Sequence, residues 1–377
     1  MSLTTAEAAV LANPDDEAAW QVYGDALQAA GDPRGELMAV QTKLASSGAD
    51  GAAMERERTL IAQHADQWLF PGASVLLQKT RLSSGEGFPL DITWKRGFPS
   101  RVLIQSPRYN SNVKFDGLGD TWRALNATPA NAQFVRALEF GSMEPGDEAD
   151  WTDSVNALRE FTPPWLRSVS FERGDYWDIS STFIYGLDEG FWKSVPKLES
   201  FHLELGEIGI SSIDAPLLKK FSIMSSGFDV DMVGELTRAK WPQLEHLSIH
   251  VGDPNYGGLD ALAQLEPLLI SERPPKLTHL GLCNAIFADE LPKRLLSCNW
   301  LPHLQSLDLS DGTLGDEGAE VLCANSEKFK HLNKLNLSRG YFSDSFVDLL
   351  RSKFPNVVLE DLQGEAERDD RYVAVSE

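Results

Sequence analysis

The side chains in this 377-residue chain best suited to chemistry are three histidines and a cysteine in its second half. His246 and His250 occupy places three and seven of one apolar-patterned unit, and His279 with Cys283 occupies the same places of the next. Imidazole and thiolate are good ligands for zinc or copper, and imidazole is the usual proton carrier near neutral pH. If the two units form neighbouring parallel strands, equal places lie about 4.8 Å apart, so His246 meets His279 and His250 meets Cys283. Four ligands close a structural metal site, and one such pairing falls short of that; histidine is also common on binding faces. The reading is therefore no metal, no cofactor and no catalytic residue. Nucleophile elbow, phosphate loop, dinucleotide fingerprint and metal-helix patterns are all missing, and the glycines fall at turns without the spacing those sites need.

The elements that must position these residues are short strands with Leu at places one, four and six. The clearest is Leu304–Leu322, LQSLDLSDGTLGDEGAEVL, in which Leu307 and Leu309 share one strand face and Leu314, Gly318 and Leu322 follow at helical spacing. Leu332, Leu335 and Leu337 open the next unit. A unit of this kind has one apolar face and nothing of its own to cover it, so it needs a like neighbour on each flank. The same places give eight units, starting at Val135, Leu166, Leu198, Leu218, Leu244, Leu277, Leu304 and Leu332. Their steps are 31, 32, 20, 26, 33, 27 and 28 residues, so the segments after the strands have been lengthened or trimmed and several should lack a full helix.

These units resemble the leucine-rich repeat family, in its long, ribonuclease-inhibitor-like form. The resemblance implies an α/β solenoid, with a parallel sheet on the concave side and helices and loops on the convex side. The family's Asn at place nine is replaced here by Gly174, Gly206, Gly252, Gly312 and Gly340, with Ser226, Ala285 and Met143 elsewhere. Glycine suits a tight bend with close backbone approach but supplies no side-chain hydrogen bond between turns. A less regular stack is expected.

Upstream, Asn13 to Gln41 reads as helical: Asn13 and Pro14 cap and open a helix, Asp15, Asp16 and Glu17 complement its positive end, and Trp20, Tyr23 and Leu27 form an apolar stripe. Gly31 stops it and Asp32-Pro33 starts another, with Leu37, Val40 and Leu44 inward. The stretch NPDDEAAWQVYGDALQAAGDPRGELMAVQ is similar to the bacterial repeat-companion domain, a helical module that precedes repeats; a tetratricopeptide-like hairpin is the competing reading. Ser46–Ala53 reads as a linker, Met54–Phe70 as a helix ended by Pro71-Gly72, and Leu90–Ile104 as a β-hairpin turning at Arg96-Gly97 and capping the apolar end of the stack. The organisation expected is 1–46 helical companion domain, 47–134 helix and hairpin cap, 135–362 repeat solenoid, and 363–377 acidic tail. The run from Glu360 to Glu377 has seven acidic and two basic residues, which reads as a mobile end.

The formal charge is −22; residues 1–134 carry 12 basic and 15 acidic side chains, while 135–377 carry 22 and 41. Such acidity argues against nucleic-acid and membrane-surface partners, and is explained equally by solubility or by steering a basic protein. Cys283, Cys298 and Cys323 lack paired spacing and read as buried thiols. The start MSLTTAEAAVLA lacks a signal peptide's basic start and long apolar run, which reads as cytoplasmic.

Because leucine-rich repeats commonly recognise proteins, the resemblance implies a non-enzymatic scaffold that binds a protein partner, for instance as an inhibitor or immunity protein. The expected contact residues are Glu172, His202, Glu204, His246, His250, His279 and Asp308 on the strand face, with Trp177 and Tyr256 at the rim. The competing reading is a regulatory subunit, or a hydrolase using the histidine-rich face.

Overall fold

The structure is a computed structural model and describes every residue except 1, 48–49, 83–84, 109–112, 128–131, 144–148, 175–178 and 377. The chain divides into two compact units, Met1–Glu144 with Asn156–Val169, and Pro145–Val155 with Ser170–Glu377.

The first unit begins with helices Leu3–Ala12, Glu17–Ala29, Pro33–Ser47 and Gly51–Trp68. Asp16 caps the second, accepting from the Ala18 and Ala19 amides, and Gly31 leaves it in the left-handed region at φ +72°. Trp20, Tyr23 and Leu27 are buried with Met38, Phe98 and Phe134, and the Trp20 and Phe134 rings lie 4.8 Å apart. Of the linker expected over 46–53, residues 46–47 end one helix and 51–53 begin the next, while 48–49 lie outside the described residues. Asp50 caps Gly51–Trp68 by accepting from the Ala52 and Ala53 amides, so the Gly-Ala-Ala run forms the first turn of a helix.

The hairpin forms as read from the sequence: Leu90–Lys95 pairs antiparallel with Phe98–Ile104, and Arg96 and Gly97 take φ values of +53° and +77° at the turn. Its second strand lies parallel to Ala137–Phe140, the strand of the first repeat.

Every predicted repeat supplies a strand, and each strand opens at place three of its unit. In the second unit they run in the order Ser170–Glu172, the later part of the strand Ser168–Glu172, then Ser200–Glu204, Lys220–Met224, His246–His250, His279–Cys283, Ser306–Asp308, Lys334–Asn336 and Val357–Val358, paired parallel and in register from Ser200 onward. The residues at places one, four and six are all buried, from Leu198, Phe201 and Leu203 through to Leu332, Leu335 and Leu337. Helices such as Val230–Arg238, Leu262–Ile270, Asp316–Ala324 and Asp344–Lys353 back the later strands. Behind the earlier ones a second, three-stranded parallel sheet stands in their place, ordered Glu207–Ile210, Thr182–Leu187, Ala149–Asp150.

Two expectations need correction. The tight bend expected of glycine at place nine is found at Gly174 and Gly252, with φ of +63° and +83°, but after the late strands the left-handed residue sits at place eight instead, as Asn284, Asp311 and Arg339, with φ between +58° and +66°. Gly312 at place nine does the other half of the work: a Cβ there would lie 2.7 Å from the Ala285 carbonyl oxygen of the preceding repeat, so only glycine allows the approach. The second correction concerns the acidic tail, which packs on the repeats. Val357–Val358 forms the edge strand, then Arg371 pairs with Asp289 at 2.7 Å and Arg368 with Glu290 at 3.2 Å, while Val373 is buried. The overall excess of acid concealed these two cations, each of which finds a carboxylate supplied by the repeats. No helix among the described residues is long and apolar enough to cross a membrane.

Candidate functional site

The strand places that alternate with the buried ones form rows on the other face of the sheet. Place three gives the row Ser200, Lys220, His246, His279, Ser306, Lys334, and place five gives His202, Ser222, Ser248, Gly281, Asp308, Asn336. The register sets His246 opposite His279 and His250 opposite Cys283.

The two pairs differ in character. The His246 and His279 rings lie 5.6 Å apart at 33°, both partly exposed, with His279 Nδ1 2.8 Å from the Thr278 hydroxyl. His250 Nδ1 is buried and has no hydrogen-bond partner among the described residues, and Cys283 is 2% exposed. Burial, reinforced by the nearby Asp308, raises the Cys283 thiol well above its ordinary value, so the nucleophilic thiolate is disfavoured. Burial likewise lowers the His202, His246 and His250 imidazoles, against the opposing pull of Glu172 on the first, of Asp308 on the second, and of Asp311 and Asp308 on the third. Among the described residues, no group of three or more His, Cys, Asp or Glu side chains is arranged to hold a metal ion.

Two carboxylates on this face, Glu204 and Asp308, are engaged within the fold. Glu204 pairs with Arg173 at 3.2 Å, the two side chains 20% and 18% exposed. Asp308 Oδ1 accepts from the Ser310 amide at 3.0 Å and hydroxyl at 2.6 Å, and its Oδ2 accepts from Asn336 Nδ2 at 2.9 Å. Asn336 repeats the arrangement one strand on, its Oδ1 accepting from the Ser338 amide and hydroxyl. His202 Nδ1 lies 2.7 Å from the Ser222 hydroxyl. Glu172 is partly exposed at the end of its strand. The face thus mixes signs, with Lys220 and Lys334 exposed, and the acidic surface expected from net charge is not concentrated on it.

Tyr256 ends the turn Pro254–Tyr256 and is partly buried; its carbonyl lies where a Cβ on Gly227 would sit, 2.1 Å away, so that turn packs on the preceding repeat. Trp177 lies outside the described residues. The ion pair of Glu204 with Arg173 was missed from the sequence, although opposite charges at places seven and eight of adjacent units are a usable signal. The Asp-x-Ser and Asn-x-Ser spacing at places five and seven also marks the turn ladder, because Asp and Asn side chains bond backbone two residues on.

A family model for the leucine-rich repeat matches residues 301–323, which is the best-formed unit. Among solved structures, a protein from Bacteroides fragilis is similar at 20% identity with a TM-score of 0.60, covering 87% of each chain, and it supports the fold alone. An internalin from Listeria monocytogenes matches at 16% identity and TM-score 0.29, over 69% of this chain and 73% of that one. Human trophoblast glycoprotein matches at 16% and 0.33, over 62% and 71%. These two scores are too low to carry an argument. No curated protein shows a significant match. With the apolar places buried in register, parallel strands repeating at each unit, and the family pattern matched over 301–323, the chain carries a leucine-rich repeat at 301–323 and its second unit has the leucine-rich repeat fold.

Proposed function

We propose that this chain is a non-enzymatic scaffold of the cytoplasm that docks a protein partner on the exposed face of the sheet in residues 170–377. The observation behind this reading is the row Lys220, His246, His279, in which a lysine and two adjacent, tilted imidazoles stand partly or fully exposed on consecutive strands. Rigid strands present these side chains with little entropy left to lose, which favours recognition of another surface. Leucine-rich repeats commonly serve in protein interaction. A basic partner is supported by the net charge of −22, which raises encounter rates with cations over the whole surface; an inhibitor or immunity role would be one form of this.

Glu204 and Asp308 hold the face together, so replacing them would damage the sheet as well as any contact. A cleaner test replaces Lys220, His246 and His279 together with alanine and compares it with a control changed at Glu317 and Glu320, exposed on a backing helix. Proteins captured by the wild type and the control but lost by the triple variant would be partners of this face. Equal capture by all three would refute the assignment. The competing hydrolase reading gains nothing from Cys283, whose thiol is buried and held protonated.

A further inference from the structure

Residues 371–375 lie against the C-terminal ends of the late strands, and their contacts there have the form of a ligand in a site. Arg371 Nη1 donates to Asp289 Oδ2 at 2.7 Å and to the Thr313 carbonyl at 3.2 Å, with only 8% and 6% of the arginine and aspartate side chains exposed. Its guanidinium lies 5.9 Å from the centre of the Tyr341 ring. Asp289 is fixed independently of this ion pair, because its other oxygen accepts from the Gly315 and Gly318 amides at 2.7 and 3.0 Å and caps the helix Asp316–Ala324 of the next repeat. The carboxylate is therefore held in place by the repeats, and the arginine comes to it.

Gly315 gives the arginine its room. Its backbone angles, φ −131° and ψ −156°, are open to any residue, yet a Cβ there would lie 2.2 Å from Arg371 Nη1. Beyond the arginine the segment is read mainly through its backbone. Tyr341 Oη donates to the Tyr372 carbonyl at 2.9 Å and accepts from its amide at 3.2 Å. The Ala374 amide donates to the Asp311 carbonyl at 2.8 Å. Asn284 takes both backbone groups of Val375, its Oδ1 accepting from the amide at 2.8 Å and its Nδ2 donating to the carbonyl at 2.7 Å. Side chains alternate, Arg371 in, Tyr372 out at 65% exposure, and Val373 in at 3%.

The hold is concentrated at these five residues. Between Asp361 and Asp370 every residue is partly or fully exposed, and Gly364 takes a left-handed φ of +77°. This stretch is attached chiefly by the Gln363 amide to the Gly340 carbonyl and by the surface pair of Arg368 with Glu290. We infer that the groove formed by Asn284, Asp289, Asp311, Thr313, Gly315 and Tyr341 is a peptide-binding site for an extended segment with arginine followed two places later by a small aliphatic residue. The chain's own Arg371–Val375 fills it as a tethered ligand. Because the tail is joined to the repeats by an exposed stretch, it can leave by local opening while the leucine core stays closed. Its departure uncovers Asp289, and an arginine-bearing segment of a partner takes the vacated seat. This site stands apart from the sheet face and does not depend on the function proposed for that face.

The test uses a fluorescently labelled peptide of residues 365–377 with three forms of the 377-residue chain. Arg371→Ala should release the tail and bind the peptide saturably. The wild type should bind it about tenfold or more weakly, because the tethered segment competes at high effective concentration. Gly315→Ala should not bind it, nor should the Arg371→Ala chain bind a peptide whose own arginine is alanine. A folded Arg371→Ala chain that ignores the peptide, or a Gly315→Ala chain that takes it as well, would overturn the proposal. Hydrogen exchange on the wild type decides independently if Arg371→Ala does not fold. The Ala374 and Val375 amides should exchange well ahead of those of Leu280 and Leu282, and equal protection would make the tail part of the cooperative core.

Discussion

The strands Ser200–Glu204 and Lys220–Met224 and the strands Ser306–Asp308 and Lys334–Asn336 answer the same packing problem with different side chains. In the early pair the inward places carry Phe201 and Phe221, whose rings lie 6.0 Å apart, and Phe171, Trp192 and Trp241 extend the cluster at 5.2 to 6.2 Å. In the late pair the inward places are leucines. Behind Ser200–Glu204 stands a short strand, Glu207–Ile210, and behind Lys220–Met224 the helix Val230–Arg238, whereas the late pair has the helices Asp316–Ala324 and Asp344–Lys353. The step from Leu198 to Leu218 is only 20 residues, and strand advances about 3.3 Å per residue against 1.5 Å for helix, so a strand crosses the back of a short repeat that a helix would not span. Flat aromatic rings then fill the volume beneath. In the 20-residue repeat length thus favours a strand at the back, whereas the 32-residue repeat before it holds both a strand, Thr182–Leu187, and a short helix, Glu189–Ser194.

The sharpest way to break this comparison is Phe201→Ala. It opens contacts with Phe171, Phe191, Trp192 and Phe221 and should cost about 4 kcal/mol, against about 3 kcal/mol for Leu335→Ala, read as denaturation midpoints at constant slope. Equal costs would mean that the aromatic core is no more tightly fitted than the leucine one. Next in size is Thr182→Val on the early backing sheet. The buried Thr182 hydroxyl accepts from the Gly206 amide at 2.8 Å and donates to the Ile179 carbonyl at 2.6 Å, so its loss leaves two buried groups unpaired at a cost of about 2 kcal/mol. A smaller effect, about 1 kcal/mol, is expected for Asn336→Ala in the late repeats, where partly exposed Asp308 and Ser338 can turn to water.

The smallest and most gradual effect is pH dependence. The folded-state values of His202, His246 and His250 lie below the unfolded value of 6.5, so the unfolded chain binds more protons as pH falls. Their contribution to stability is complete above about pH 6.5 and is lost as pH falls through the lowered folded values. Of the groups facing them, Glu172, Asp308 and Asp311 moderate the slope, while Lys220 and His279 beside His246 and His202 beside His250 add to it. Thermal melts between pH 7 and 5 should show a decline that shrinks in the His250→Gln variant. An undiminished decline would remove His250 from the account.

The sequence by itself determined the repeat register, because burial of one strand face requires apolar residues at places one, four and six, and a shift by one place would turn Leu307 and Leu309 to water. The same local pattern determined the hairpin at Arg96-Gly97 and the meeting of His246 with His279, which follows once equal places align. The tertiary structure decided what depends on residues distant in sequence. Glu204 finds Arg173, Asp289 caps a helix one repeat away and holds Arg371 from the tail, and left-handed turns fall at Asn284, Asp311 and Arg339 while glycine permits the close approach beside them. A periodic pattern fixes contacts between equivalent places. The pairing of charges carried by loops of unequal length depends on where each loop returns, and no local spacing encodes that.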